Sequence, residues 1–550
     1  MRRLTKFLFL LLAGWSVTLT SQAQTGVAIP IFSFSGSATN GGAAPEGNLV
    51  VGPDGGLYGT TQGANTNYGT IFKITTGGDL TTLVIFNGTN GALPIAGLTL
   101  APDGNFYGTT EYGGTNFGIP TINAGLGAGT AFRLTTNGLL TTLATFAVTN
   151  GQTPHGGLTW GPGGLLYGTA ARGGPFSSGT IFSITTDGIL TMLTNFNNAN
   201  GNNPIAGLTL GPDGNLYGVT QSGGAHAAGT VFRVTPSGSL TNIYHFGSSP
   251  ADGASPETTL TLGPDGKLYG ATDYTSLADP NGTVFKITTN GTLTTLVNWD
   301  FVDGGHPVGS LTLGPDGIFY GTTYFGGNSV PDKGIVYSVS TNGAFSFLVS
   351  FAGPNGAYPI AGVTLGPDNN LYGVTSGGGA AGYGLVYRVG LPPSFISNPA
   401  SQSVIIGNPA TFNSQPFGGD PYTFQWRSNS IPVTGATNSS LTVPQVFYQA
   451  DNAQFRVVVT NSYGSVTSQV ATLSVVLQPN FSALLNNGGG NYTVIVGSFP
   501  SSTNHLWATT NLNSPWQQIA PIITDANGMG QYLDTDTTDI PAKFYQLSYP

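Results

Sequence analysis

Gly207-Leu208-Thr209-Leu210-Gly211-Pro212-Asp213-Gly214-Asn215-Leu216-Tyr217-Gly218 is followed by Gly229-Thr230-Val231-Phe232-Arg233-Val234 and then by Leu240-Thr241-Asn242-Ile243-Tyr244-His245-Phe246. Short runs of apolar residues alternate with Thr and Ser, as half-buried strands do, and Gly-Pro-Asp-Gly punctuates them as a tight turn: Pro presets φ, Asp bonds its own backbone and Gly accepts positive φ. The Leu/Phe-Tyr-Gly marker recurs at Tyr58, Tyr107, Tyr167, Tyr217, Tyr269, Tyr320 and Tyr372, in steps of 49, 60, 50, 52, 51 and 52 residues. Four strand-like segments per period of roughly 50 residues predict a β-propeller blade.

Strand counting gives seven blades. The fourth strand, d, ends at Phe86, Phe146, Phe196, Phe246, Trp299 and Phe351, and the seventh unit stops after its third strand at 385–389. Ile31-Phe32-Ser33-Phe34 stands alone before the first strand a, so the expected fold is all-β: a seven-bladed β-propeller over 27–391, closed by the N-terminal strand and followed by an immunoglobulin-like β-sandwich and a small C-terminal β module. On that topology the d–a and b–c connections share one face. The b–c loops (62–68, 111–128, 171–178, 221–228, 273–281, 324–333 and 376–383) vary, and variable loops on a rigid frame are where binding is expected.

The chain has 550 residues with a net charge of −9, 7% charged residues, 85 glycines and no cysteine. The negative balance argues against nucleic acid. The absence of cysteine removes disulfides, thiolate metal sites and a Cys nucleophile. Arg2, Arg3 and Lys6 precede an apolar run from Phe7 to about Leu19, with Ser21-Gln22-Ala23 after it. Residues 1–23 therefore read as a signal peptide, and the mature chain is expected to be secreted or at the outer cell surface, monomeric, without a cofactor and without a later membrane span.

The repeated sentence at 207–220, with Gly-Thr-Val-Phe at 229–232, resembles the tandem GloVer (Gloeobacter/Verrucomicrobia) repeats of secreted bacterial proteins. The resemblance implies a surface or extracellular protein and no defined molecular function. The family's usual C-terminal sorting tail is not expected here. Residues 393–476 resemble an immunoglobulin-like domain of the intermediate set, with Trp426 at the strand-C tryptophan, Phe412 near the first family cysteine, Val457 at the second and Phe455 at the corner tyrosine. Residues 477–550 read as a small β-sandwich with Trp507, Trp516, Phe544 and Tyr545 as its aromatic core.

Candidate chemistry is sparse. The turn residues Asp54, Asp103, Asp213, Asp265, Asp316 and Asp368 suggest a carboxylate ring, but unit three keeps the turn with Gly163, so they read as turn formers. The tyrosines at 58, 107, 167, 217, 269, 320 and 372 recur in every unit, as core residues do. Aromatics outside the repeat frame (Tyr112, Phe117, Phe176, Tyr274, Tyr324 and Phe325) are the ligand candidates. Aligned starts of strand a carry Glu46, Ile95, His155, Ile205, Glu257, Val308 and Ile360; Glu46, His155 and Glu257 offer acid/base or metal chemistry, against which stands the wide separation of their units. No catalytic residue and no metal ligand is assigned. The expected function is a non-catalytic binding or adhesion protein for a polysaccharide, an envelope component or another protein. The alternatives are a carbohydrate-active lyase or hydrolase on the same face, and a structural surface protein.

Overall fold

The computed structural model describes residues 26–63, 68–115, 125–249, 251–276, 281–300, 304–327, 333–419, 421–476, 480–488, 491–498, 501–526, 529–535 and 543–548. The expected signal segment 1–23 and Phe117 lie outside them. Strands and turns dominate, and no helix among the described residues is long and apolar enough to cross a membrane. The chain divides into two compact units, residues 1–392 with 418–420, and residues 393–417 with 421–550.

In the first unit each repeat folds as an antiparallel meander. In the fourth repeat, strand a is Thr209–Leu210, b is Leu216–Thr220, c is Thr230–Val234 and d is Leu240–His245, paired in that order. Register places Gly218 opposite Phe232, and a Cβ on Gly218 would lie 2.5 Å from the Phe232 ring. The glycine after the repeated tyrosine is thus the floor on which the strand-c aromatic lies. Strand c is bulged against strand d between Val231 and Phe232, which adds local twist.

The expectation of a closed seven-bladed propeller is corrected. Among the described residues the repeats form seven separate small antiparallel sheets, six of four strands and one of five, none closed or curled, and no backbone ladder joins one sheet to the next. The N-terminal strand Val27–Ser33 pairs with Leu385–Gly390 and so completes one four-stranded sheet. The physical reason is the brevity of strand a: with two residues in most repeats, it has no ladder to extend. Side-chain contacts and single backbone hydrogen bonds join neighbouring repeats instead. Phe196, ending one strand d, meets the next repeat's Phe232 edge-on at 5.2 Å, and Phe246 meets Phe285 at 5.3 Å. Thr159 Oγ1 donates to Leu208 O and Thr261 Oγ1 to Leu311 O at 2.6 Å; Thr364 Oγ1 of the seventh repeat donates to Leu49 O of the first at 2.7 Å.

The second unit begins with a sheet in which Gln402–Ile405 pairs parallel to Ala471–Val476, followed by Ala453–Asn461, Thr423–Ser428 and Ile431–Pro432. Ala410–Asn413 pairs with Ser440–Val443. Trp426 is fully buried, opposite Val457 in register, with Phe412 stacked on Phe455 at 4.5 Å beside it. The last segment forms two three-stranded sheets. Its core is aliphatic, made of Val494, Val496, Leu506 and Ile522. The expected aromatic core is corrected: Trp507 and Trp516 are half-buried, Tyr545 packs at the margin, and Phe544 is 38% exposed because its position in the strand faces solvent.

Candidate functional site

Each connection from strand d to strand a carries a residue followed by proline, and that residue is left-handed in all seven repeats: Ala44, Leu93, Thr153, Asn203, Ser255, His306 and Tyr358 have φ between 50° and 60°. None is glycine, so each stores backbone strain on the order of 1 kcal/mol. The strain is held by hydrogen bonds and packing on both sides. Asn203 N donates to Ser178 O of the preceding repeat at 3.1 Å, and Asn203 O accepts Gln221 N of its own strand-b end at 3.1 Å. The following proline packs on the preceding repeat; a Cβ on Gly229, at φ 100°, would lie 2.6 Å from Pro256 Cδ. Ala44 N donates to Tyr383 O, so the same stitch runs from the first repeat to the seventh.

The residue after each of these prolines lines one cavity of about 350 Å3: Glu46, Ile95, His155, Ile205, Glu257, Val308 and Ile360. The seven repeats therefore bring their equivalent positions to one place, and the three polar residues face a common space. Burial pushes the Glu46 carboxyl up to about 7, with Glu111 adding repulsion. Burial, with Asp273 nearby, pushes Glu257 up to about 7 as well, against a 2.5 Å hydrogen bond from Gln221 Nε2. Burial lowers the His155 imidazole, whose Nδ1 lies 3.3 Å from Ile205 O.

Another position of the repeat, of which the sequence singled out only Tyr324, supplies neighbours to Glu46 and Glu257. Four residues after the repeated tyrosine come Gln62, Glu111, Ala171, Gln221, Asp273, Tyr324 and Ser376. Asp273 Oδ1 lies 2.7 Å from His306 Nδ1, and burial raises the Asp273 carboxyl although His306 opposes it. Burial also raises Glu111, against a hydrogen bond with Tyr112 and the charge of Arg172. Aligning the repeats on their tyrosines exposes this position; it varies among the copies, with only Gln62 and Gln221 alike, and so leaves little repeat signal.

The aromatic candidates divide. Tyr324 stacks on Tyr358 at 5.0 Å and meets Phe325 edge-on at 4.6 Å; Phe325 and Tyr274 each meet His306 edge-on, at 5.4 and 5.7 Å. Tyr112 is half-buried beside Glu111. Phe176 projects into solvent, 60% exposed. The repeated tyrosines at 58, 107, 167, 217, 269, 320 and 372 are buried, as is Trp426. Among the described residues no group of three or more His, Asp or Glu is arranged to hold a metal ion.

The repeats match the family model described as the Gloeobacter/Verrucomicrobia repeat, over residues 18–159 and 117–330, together more than half of the chain. The chain belongs to that family of repeat proteins. No curated protein matches it. Among solved structures it is similar to a Bacteroides uniformis protein assigned as a 6-phosphogluconolactonase, at 18% identity over 55% of this chain and 83% of that one, with a TM-score of 0.38. It is also similar to titin M10 in complex with obscurin-like 1 Ig (17% identity, 16% of this chain and 98% of that one, TM-score 0.15) and to a C. elegans twitchin kinase fragment (22% identity, 16% of this chain and 21% of that one, TM-score 0.15). Likeness this shallow defines no function.

Proposed function

We infer that this is a secreted or cell-surface, non-catalytic binding protein that takes a glycan on the face built by the d–a and b–c connections of its repeats. The observation that carries the reading is the aromatic cluster of Tyr324, Tyr358 and Phe325, next to a cavity walled by carboxyl, imidazole and backbone groups. A sugar ring has one apolar face and an edge of hydroxyls, and such a site offers a partner for each. Secretion rests on residues 1–23 as a signal peptide. Residues 393–476 act as an immunoglobulin-like spacer, supported by the buried Trp426, whose Nε1 donates to Asn438 O at 2.9 Å, and by Asp451, which accepts the Val475 amide at 2.9 Å. Residues 477–550 form the attachment module.

The test is a glycan array and polysaccharide pull-down with the full chain beside Tyr324→Ala and Tyr358→Ala. Glycan retained by the parent chain and lost by both variants supports the reading. Retention unchanged in both variants, or no glycan retained at all, overturns it.

One observation favours a second reading. Burial, with repulsion from Glu111 on Glu46 and from Asp273 on Glu257, holds both carboxyls near 7, which suits general-acid work on a glycosidic bond. Shortened sugar products that vanish in Glu46→Gln and Glu257→Gln would replace the binding role with an enzymatic one.

A further inference from the structure

A second recess, of about 340 Å3, opens beside the central cavity and shares His155, Ile205 and Glu257 with it. Three features of its wall point to one kind of ligand. Thr153 lines the recess, is only 3% exposed, and its Oγ1 has no hydrogen-bond partner. Its backbone is already committed, with N bonded to Ala128 O and O accepting Ala171 N, each at 3.0 Å. A buried hydroxyl left open in this way marks a place for an incoming polar group.

The second feature is a relay of amides. Asn203 Nδ2 donates to Gln221 Oε1, and Gln221 Nε2 donates to Glu257 Oε1 at 2.5 Å. The relay fixes one oxygen of Glu257 and leaves the other for a donor from outside. The third feature is charge. The recess holds two carboxyls, Glu111 and Glu257. Glu111 has the guanidinium of Arg172 near it, whereas the charge that acts on Glu257 is another carboxyl, Asp273, itself engaged with His306. Glu257 is therefore the carboxyl that lacks a cation.

We propose that this recess is a subsite for a hydroxyl-rich ligand bearing a protonated primary amine, of the class of a 2-amino-2-deoxyhexose unit within a glycan. The ammonium pairs with Glu257, the ring hydroxyls meet Thr153 and Asn203, and the Tyr112 ring covers an apolar face. The proposal rests on the glycan reading above and makes it specific. Burial holds the Glu257 carboxyl near 7, so binding is strongest near neutral pH. It falls where Glu257 is protonated and again where the amine is neutral, with His155 kept uncharged by its burial.

The experiment is calorimetric titration of the full chain with glucosamine tetramer, N-acetylglucosamine tetramer and cellotetraose. At neutral pH the glucosamine tetramer is expected to bind about tenfold more tightly than the other two, with a bell-shaped pH profile. Glu257→Gln removes that preference, and Thr153→Val weakens binding of the glucosamine tetramer by roughly fivefold without lowering the thermal midpoint. Equal affinity for the three probes, or a preference untouched by Glu257→Gln, overturns the proposal. If glycans bind and are lost in Tyr324→Ala yet ignore Thr153→Val and Glu257→Gln, the glycan reading stands and the recess assignment fails. If none of the probes binds, and the polysaccharide pull-down is also empty, both fail together.

Discussion

The hydroxyl of Tyr217 donates a 2.9 Å hydrogen bond to Asp213, the turn residue four positions earlier. One carboxylate thereby does two jobs, since Asp213 Oδ1 also accepts the Asn215 amide that tightens the turn. The pair recurs at Tyr58–Asp54, Tyr107–Asp103, Tyr269–Asp265, Tyr320–Asp316 and Tyr372–Asp368. In the third repeat Gly163 replaces the aspartate, and Tyr167 turns to the Pro162 carbonyl at 3.1 Å. Tyr217→Phe should cost about 2 kcal/mol, because the bond goes to a charged acceptor, and Tyr167→Phe about 1 kcal/mol. Urea midpoints of the two variants at neutral pH give the comparison; equal losses would show that the carboxylate adds nothing.

The same pairs set the alkaline limit. Burial and the neighbouring aspartate push the hydroxyls of Tyr107 and Tyr217 up to about 12. A folded pKa above the unfolded value means that the protonated phenol is favoured in the native state. Its contribution is complete below the unfolded value of 10 and is lost as pH rises through about 12. Unfolding midpoints should hold steady between about pH 8 and 10 and then fall, in step with phenolate absorbance. On the acid side, hydrogen bonds from Asn215 and Tyr217 hold the Asp213 carboxyl below the usual range against the opposing effect of burial. That contribution is present above the unfolded 3.8 and disappears as pH falls below it.

Glu46 and Glu257 bend the profile the other way. Each carboxyl is raised from 4.5 to about 7, chiefly by burial. The folded state favours the protonated form, so stability is complete below pH 4.5 and declines as pH rises through 7. Glu46→Gln and Glu257→Gln should each gain on the order of 2 kcal/mol at pH 8 and little at pH 5. Thermal midpoints at the two pH values decide it; a gain of equal size at both would mean that charge burial is not the cause.

Gly218→Ala should be disruptive despite its small size. The added methyl would lie 2.5 Å from Phe232 and 2.8 Å from Leu208 Cδ2, so ring and strand must shift, at about 2–3 kcal/mol. Gly214→Ala is the control, since nothing lies within 4 Å of its Cβ position and only its φ of 77° opposes the change. Denaturation midpoints of the two variants should differ in that order.

In the second unit, Phe412→Ala should cost about 3–5 kcal/mol. The ring is fully buried, stacked on Phe455 and near Trp426, with no disulfide to compensate. Near-ultraviolet circular dichroism from the tryptophan environment would report the loss; an unchanged Trp426 signal and midpoint would remove Phe412 from the core.

What the sequence could disclose followed its repetition. Tyr217, Gly218 and Phe232 recur because each repeat must pack the same way, so their burial was readable from recurrence alone. Strand counting paired the N-terminal segment with Leu385–Gly390 but extended that to a closed fold, whereas the sheets remain separate. Periodicity specifies hairpins; it does not specify whether neighbouring sheets share a ladder. The site was half legible. Glu46, His155 and Glu257 emerged from alignment on the prolines, and the structure places all three on one cavity. Glu111, Thr153, Gln221, Asp273 and His306 were silent, because each stands at a position that varies among the repeats. Phe544 was misread because an aromatic residue in a short terminal strand has no repeat to report its facing.

The left-handed residue before each proline has a consequence for how this molecule can change over generations. Its backbone geometry is enforced from both sides, and alanine, leucine, threonine, asparagine, serine, histidine and tyrosine all occupy it. The scaffold is indifferent to the side chain at that position. Selection can therefore rewrite these positions one repeat at a time, drawing new specificities from single substitutions while the architecture stays silent.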